Sequence, residues 1–337
     1  MKKCVIIWGV FLLLLLSSIV PFVTGSNISS NDFIYVDDDN IDGPWDGSIE
    51  HPYQTINDGV IASIDGDTVY VNSGIYGEGY TDEYACIKID RRIHLLGEDK
   101  YTTIIDANQS PIPAKMGVVI SVDEVRISGF TIQNAVWEGG GIGRGISIDY
   151  KRPPINDILI SDNIIINNDY GIIDFDGNNC KIYNNIISNN VDVGILAGDN
   201  SNVYENLVLN NTIGIFVSSP SVIEYNQIME NEIGVYASHT PSTIRFNNFI
   251  NNDVQASFIK GNMLIFLIIE PLSFFSKQRW NNNYWDDWRV RTPRPIKGEL
   301  SIVICPLLIF YHEFKFPSFQ FDWNPAKEPY DIGGNNI

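Results

Sequence analysis

Cations are scarce in this chain. Lys and Arg number 22 against 41 Asp and Glu in 337 residues, a formal net charge of −19. A surface of that sign repels phosphate backbones, so nucleic acid is excluded as an expected partner. Cysteine is equally sparse, four residues in all, and Cys4 sits in the first apolar run. Cys86, Cys180 and Cys305 are too scattered for a disulfide framework or a zinc pattern, although a single disulfide stays open. His51, His94, His239 and His312 are dispersed, and Met116, Met229 and Met263 form no soft-ligand cluster, so the residues themselves offer no copper set. Leucine is rare in the middle of the chain and no helical stretch fits within its period, which excludes a leucine-rich solenoid.

Apolar runs long enough for export or anchoring are confined to the start. Lys2-Lys3 precede an almost wholly apolar stretch from Val5 to Val20, and Pro21 and Thr24-Gly25-Ser26 follow as a cleavage region would. Residues 1–25 therefore read as a signal peptide, and the expected location is secreted or cell-surface. Left uncleaved, the same segment would be the chain's one contact with a membrane. Met263 to Phe275 is also apolar, but it contains Glu270 and Pro271 and is short for a span.

What the sequence has in abundance is a repeat. In Ile160-Ser-Asp-Asn163, Ile182-Tyr-Asn-Asn185, Val203-Tyr-Glu-Asn206, Ile223-Glu-Tyr-Asn226 and Ile244-Arg-Phe-Asn247, the closing Asn residues fall 22, 21, 20 and 21 apart. Two residues later stand Ile165, Ile187, Val208, Ile228 and Phe249. A second polar pair follows, and then Gly171, Gly194, Gly214 and Gly234 open a third apolar run. Three short strands per period, each bounded by Asn or Gly, define a triangular coil. The expected fold is all-β, a right-handed parallel β-helix. Asn163, Asn185, Asn206, Asn226 and Asn247 are expected to stack as a ladder, one strand spacing apart, because Asn tolerates left-handed corners and its amide can bond its equivalent in the next coil.

The flanks complete the plan. Tyr53 to Ile64 carries a helical stripe at Ile56, Val60, Ile61 and Ile64, suited to covering the open first coil. Residues 33–258 are read as the β-helix with this N-terminal cap. Residues 259–337, rich in aromatics and proline, are read as a wrap that caps the last coil and packs along one face.

At this point the chain resembles a known group. Tyr35-Val-Asp-Asp-Asp-Asn40, Gly43-Pro-Trp-Asp-Gly47, Gly66-Asp-Thr-Val-Tyr-Val71, Asn283-Tyr-Trp-Asp-Asp-Trp288 and Asp322-Trp-Asn-Pro-Ala-Lys-Glu-Pro-Tyr330 are similar to segments of archaeal cell-surface β-helix proteins. The repeats resemble those of the NosD-type periplasmic copper-binding family and, more distantly, the sugar hydrolases and lyases of the pectin-lyase-like superfamily. The resemblance implies the fold and export. It implies activity only weakly, since one fold hosts many functions. The motifs of those sugar enzymes are missing: there is no Gly-His-Gly, no Arg-x-Lys and no Asp-Asp pair on a repeat strand.

Three constellations remain as candidates. Asp38, Asn40 and Asp42, followed by Gly43, have the spacing of a calcium loop without its closing acid, for Ile49 stands where that acid belongs. Asp174 aligns with inward-facing Ala197, Val217 and Ala237. A carboxylate there is costly unless paired, and a local slip of register is the simpler expectation. Asp176 aligns with Asp199, Ser219 and His239 at a strand end. Carboxylates at Asp174, Asp176 and Asp199 on adjacent coils would suit a retaining glycosidase, whose pair stands about 5 Å apart. Finally, Ile173, Leu196, Phe216 and Tyr236 form an outward apolar column, with His239 beside it. It is either glue beneath the C-terminal wrap or a stacking surface for a glycan or a surface protein. Non-enzymatic binding and a carbohydrate-active enzyme are thus both carried forward, with NosD-like metal handling third.

Overall fold

The computed structural model describes residues 33–79, 85–111, 116–137, 143–149, 153–175, 177–238, 240–263, 278–290, 292–304 and 312–332, all within the compact unit 32–337. The expected signal peptide, Asp176, His239 and Cys305 lie outside the described residues. The chain winds as a parallel β-helix of three sheets. The first runs from Phe33–Val36 through Lys181–Tyr183 to Arg279–Asn281, the second from Gly74–Tyr76 to Tyr284–Trp285, and the third from Ala85–Ile89 to His312–Asp322. Every pairing is parallel except the last, where Arg294–Ile304 and His312–Asp322 form an antiparallel hairpin.

The three-residue strands alternate, and one residue of each faces the axis. In the first sheet Ile160, Ile182, Val203, Ile223, Ile244 and Trp280 stack in register. In the second the column is Ile165, Ile187, Val208, Ile228, Phe249 and Trp285. All are essentially buried in one continuous core. Burying each Val, Leu, Ile or Phe contributes about 1.5–3 kcal/mol, so identical columns repeat the same gain at every coil.

The corners use asparagine in a division of labour that the repeat alone does not reveal. Asp162, Asn184, Glu205, Tyr225, Phe246 and Asn282 hold positive φ. The ladder residue is the next one along. Each ladder Asn donates its backbone N–H and its Nδ2–H to Oδ1 of the Asn one coil further on: Asn163 to Asn185 at 3.0 and 3.1 Å, Asn206 to Asn226 at 3.1 and 3.0 Å, Asn247 to Asn283 at 3.1 Å for both. The chain begins with the Phe130 N–H on Asn163 and ends with Asn283 donating twice, at 3.0 Å, to the buried Asp322 carboxylate. A second ladder occupies the next corner: Asn168, Asn190, Asn211, Asn231 and Asn252, bonded in the same sense. It passes from Asn252 through Gln255 to Asp286.

At the N-terminal end, the helix Ile56–Ala62 is capped by the Thr55 hydroxyl, which accepts the Asp58 N–H at 3.1 Å. Glu78 takes the N–H groups of Ile56 and Asn57 as well. Ile56 and Val60 enter the core, whereas Ile61 and Ile64 are exposed, because the helix stops after two turns. At the other end the coil does not stop at Phe258. After an interruption of the repeat, Arg279–Asn281 and Tyr284–Trp285 add a further coil in register, and the final hairpin extends the edge of the third sheet. The last stretch, around Tyr330, lies against the corner, its ring edge-on to the stacked Tyr225 and Phe246.

Candidate binding face on the third sheet

The outer face of the third sheet carries two parallel rows. Arg144 and Tyr170 pair in one row, which continues through Val193, Ile213 and Ile233; Ser147, Ile173, Leu196, Phe216 and Tyr236 pair in the other. The four apolar residues singled out in the sequence thus form one column. Ile173 and Leu196 are buried, at 0 and 4 % exposure, in a small cluster of their own with Val193, outside the main core. Phe216 and Tyr236 are half-buried and tilted against each other, with centroids 5.5 Å apart. Burial pushes the Tyr236 phenol up, with Glu299 adding to it.

The described strands of the tail extend the edges of all three sheets through backbone pairing, and its last stretch goes to the corner at Tyr225. Among the described residues, the partly buried hydrophobic ones packed on the buried cluster are Tyr170, Ile213 and Phe216 of the face itself.

Polar chemistry gathers at the end of the face that sequence reasoning missed. The Tyr170 hydroxyl donates to Asp192 at 2.5 Å. Burial, together with that bond, pushes the phenol up to about 12, so at neutral pH it is a donor and not a base. Arg144 donates to the Ser147 hydroxyl at 3.1 Å, and its guanidinium stands 5.5 Å from the Phe175 ring centre. Its Nε–H is buried without a partner. The signal available in the sequence was that Arg144 and Tyr170 open equivalent strands, immediately before the repeat glycines.

Of the three candidate carboxylates Asp176 lies outside the described residues, and Asp174 and Asp199 stand on opposite sides of the wall. Asp174 keeps the repeat register, paired with Ile148 and facing inward, so no slip relieves it. It is satisfied instead: the N–H groups of Gly177 and Gly198 donate at 2.7 and 3.2 Å and the Ser201 hydroxyl at 3.0 Å. A Cβ on Gly177 would stand 2.1 Å from a carboxylate oxygen and one on Gly198 2.5 Å from its carbon, so both positions need glycine. Burial raises the Asp174 pKa despite these bonds. Asp199 is exposed at the outer corner. One carboxylate lies within the wall and the other outside it, which does not present an acid and a base to one substrate.

The metal candidates fit no better. Asp38 accepts the Ile75 N–H at 3.1 Å, Asn40 turns its amide nitrogen to the Pro52 carbonyl at 2.7 Å, and Asp42 is exposed. Among the described residues no three His, Cys, Asp or Glu side chains gather as a metal set. Cys86 and Cys180 are buried free thiols held protonated: burial pushes Cys86 up to about 12 and Cys180 higher still. His94 is committed to the Ser128 hydroxyl at 2.9 Å.

The parallel β-helix is a fold this chain shares with solved proteins. Two solved structures share it at a TM-score of 0.52: pectate lyase Pel9A, 12 % identical, covering 81 % of this chain and 76 % of that one, and XylC in complex with xylose, 13 % identical, covering 80 and 72 %. At such identities the likeness is one of fold. The model of the NosD family, described as periplasmic copper-binding protein, matches residues 60–289, and the chain belongs to that family. No curated protein matches it. None of these relatives is described as archaeal or as a cell-surface protein. Copper binding is stated of that family; among the described residues no three His, Cys, Asp or Glu side chains gather on the face above.

Proposed function

We propose that this chain is an exported β-helix protein that binds a glycan on the outer face of its third sheet without cleaving it. The observation that carries this reading is the gradient along one column, from buried Ile173 and Leu196 to the half-open aromatic pair Phe216 and Tyr236. Sugar rings stack on aromatic side chains held in that way, and Tyr170, Asp192 and Arg144 supply hydrogen bonds at the near end. Binding without catalysis is supported by the inward, satisfied Asp174 and by a Tyr170 phenol that keeps its proton. Calcium at Asp38, Asn40 and Asp42 is left out of this reading, since Ile49 stands where the closing acid of such a loop belongs.

The test is a glycan array with the mature protein, run beside an assay for released reducing ends. Tyr236→Ala should weaken array binding by about tenfold, the loss of roughly 1.4 kcal/mol, with an unchanged circular dichroism spectrum. Binding that ignores Tyr236→Ala would remove the face from consideration. Sugar release that Asp192→Asn abolishes would make the chain an enzyme instead.

A further inference from the structure

We infer a second ligand site at the C-terminal end of the helix, a cleft for an oligosaccharide that bears carboxylates. The last strand of the first sheet and the final strand of the third enclose a cavity of about 900 Å³, lined among others by Lys260, Gln278, Arg279, Phe319, Phe321 and Trp323. Among the described residues no carboxylate lines it. In a chain with 41 acids to 22 bases, Arg279 in a wall whose described residues include no acid is a local reversal of sign. The Asn-rich corner groove shows the usual balance, with Glu230, Glu232 and Asp253 in its wall. Arg279 is exposed and makes no ion pair among the described residues, so its guanidinium is available to an anion.

A buried donor in the same wall calls for an acceptor. The indole Nε1–H of Trp280 can only donate, and it does so to Gln320 Oε1 at 2.9 Å. That fixes the Gln320 amide, whose nitrogen donates to Gln278 Oε1. The orientation of Gln278 follows in turn, and among the described residues its Nε2 has no partner, although the residue is only 5 % exposed. Leaving such a group unpaired is costly, and a ligand oxygen would recover that cost. The third element is aromatic. Phe319, Phe321 and Trp323 are 54, 40 and 69 % exposed, and the last two rings lie 5.4 Å apart. Open rings beside fixed donors and a free guanidinium match the two sides of an acidic sugar: apolar ring faces, and oxygens carrying negative charge.

This site shares no lining residue with the outer face described above, so its fate is independent of that proposal. The experiment titrates the folded chain, residues 26–337, with an oligogalacturonate hexamer, its methyl ester, a sulfated oligosaccharide and oligoglutamate, followed by calorimetry. The acidic hexamer should bind, and salt should weaken it. Arg279→Glu and Trp323→Ala should each lower its affinity about tenfold or more, with Tm unchanged, since both side chains are exposed. Tyr236→Ala should leave this affinity as it is. Equal binding of the methyl ester, preference for the sulfated sugar, equal binding of oligoglutamate, or indifference to both substitutions would each overturn the assignment.

Discussion

Replacing Asn226 by Leu isolates the value of one rung of the ladder. The side chain is fully buried and makes five hydrogen bonds. Its Oδ1 accepts the Asn206 backbone N–H at 3.1 Å and the Asn206 amide at 3.0 Å; its Nδ2 donates to Val203 O at 2.8 Å, Glu224 O at 3.1 Å and Asn247 Oδ1 at 2.9 Å. Leucine has the same number of side-chain heavy atoms but bulkier methyl groups, so overpacking can only add to the loss. The Asn206 side chain keeps its bonds to Ile182 O and Tyr204 O, and Asn247 Oδ1 keeps the Asn226 N–H. What is stranded is the Asn206 backbone N–H, in a corner closed to water. One orphaned buried donor costs about 1–3 kcal/mol and the two lost amide-to-amide bonds about 1 each, so the expected loss is roughly 3–5 kcal/mol. Urea unfolding followed through the buried Trp280 and Trp285 reads the total, and hydrogen exchange at the Asn206 amide reads the place. A midpoint equal to wild type, with the Asn206 amide still protected, would refute the reasoning.

Two further outcomes follow from buried carboxylates. Asp174→Ala should destabilise the fold by about 2–4 kcal/mol, because the N–H groups of Gly177 and Gly198 and the Ser201 hydroxyl lose their common acceptor; a thermal midpoint equal to wild type would show that the cage contributes nothing. Glu78 gives a pH signature, since burial pushes it from 4.5 up to about 7 in the folded state. Between those values the folded chain holds a proton that the unfolded chain releases, so this group's stabilisation is present at low pH and is lost as pH rises. The stability difference between wild type and Glu78→Gln should fall by about 3 kcal/mol from pH 4.5 to 7; a difference that stays level over that range would contradict the shift.

The coil and its core columns were legible because identical neighbours repeat every 20 to 22 residues, and a period-two strand leaves little freedom in which face is buried. The spacing of Asn163 to Asn247 is also the spacing of the amide bonds. The left-handed conformation, which the sequence reading assigned to those same residues, belongs one position earlier, where even Tyr225 and Phe246 adopt it. The parallel ladder from Asn168 to Asn252 was equally visible and went unread. The last coil was hidden because Asn283 follows Asn247 by 36 residues, and tryptophans fill the Ile244 and Phe249 positions. The fate of Asp174 could not be read from spacing, since its donors come from turns of two different coils. Arg144, Tyr170 and Asp192 likewise meet only once the coils are stacked.

Both asparagine ladders run the same way, from a plain backbone N–H at Phe130 or Ala135 to a carboxylate, Asp322 or Asp286. An amide both gives and takes, so it can only pass the sequence of bonds onward; a carboxylate takes and gives nothing back. The interior junctions are therefore interchangeable and the ends are not. A whole coil can be gained or lost between Asn185 and Asn226 with every donor still meeting an acceptor, while the stack cannot be prolonged beyond Asp322 without exchanging that residue. Length in this architecture is a quantity that duplication can vary freely, and closure is a separate invention made once, at the C-terminal end.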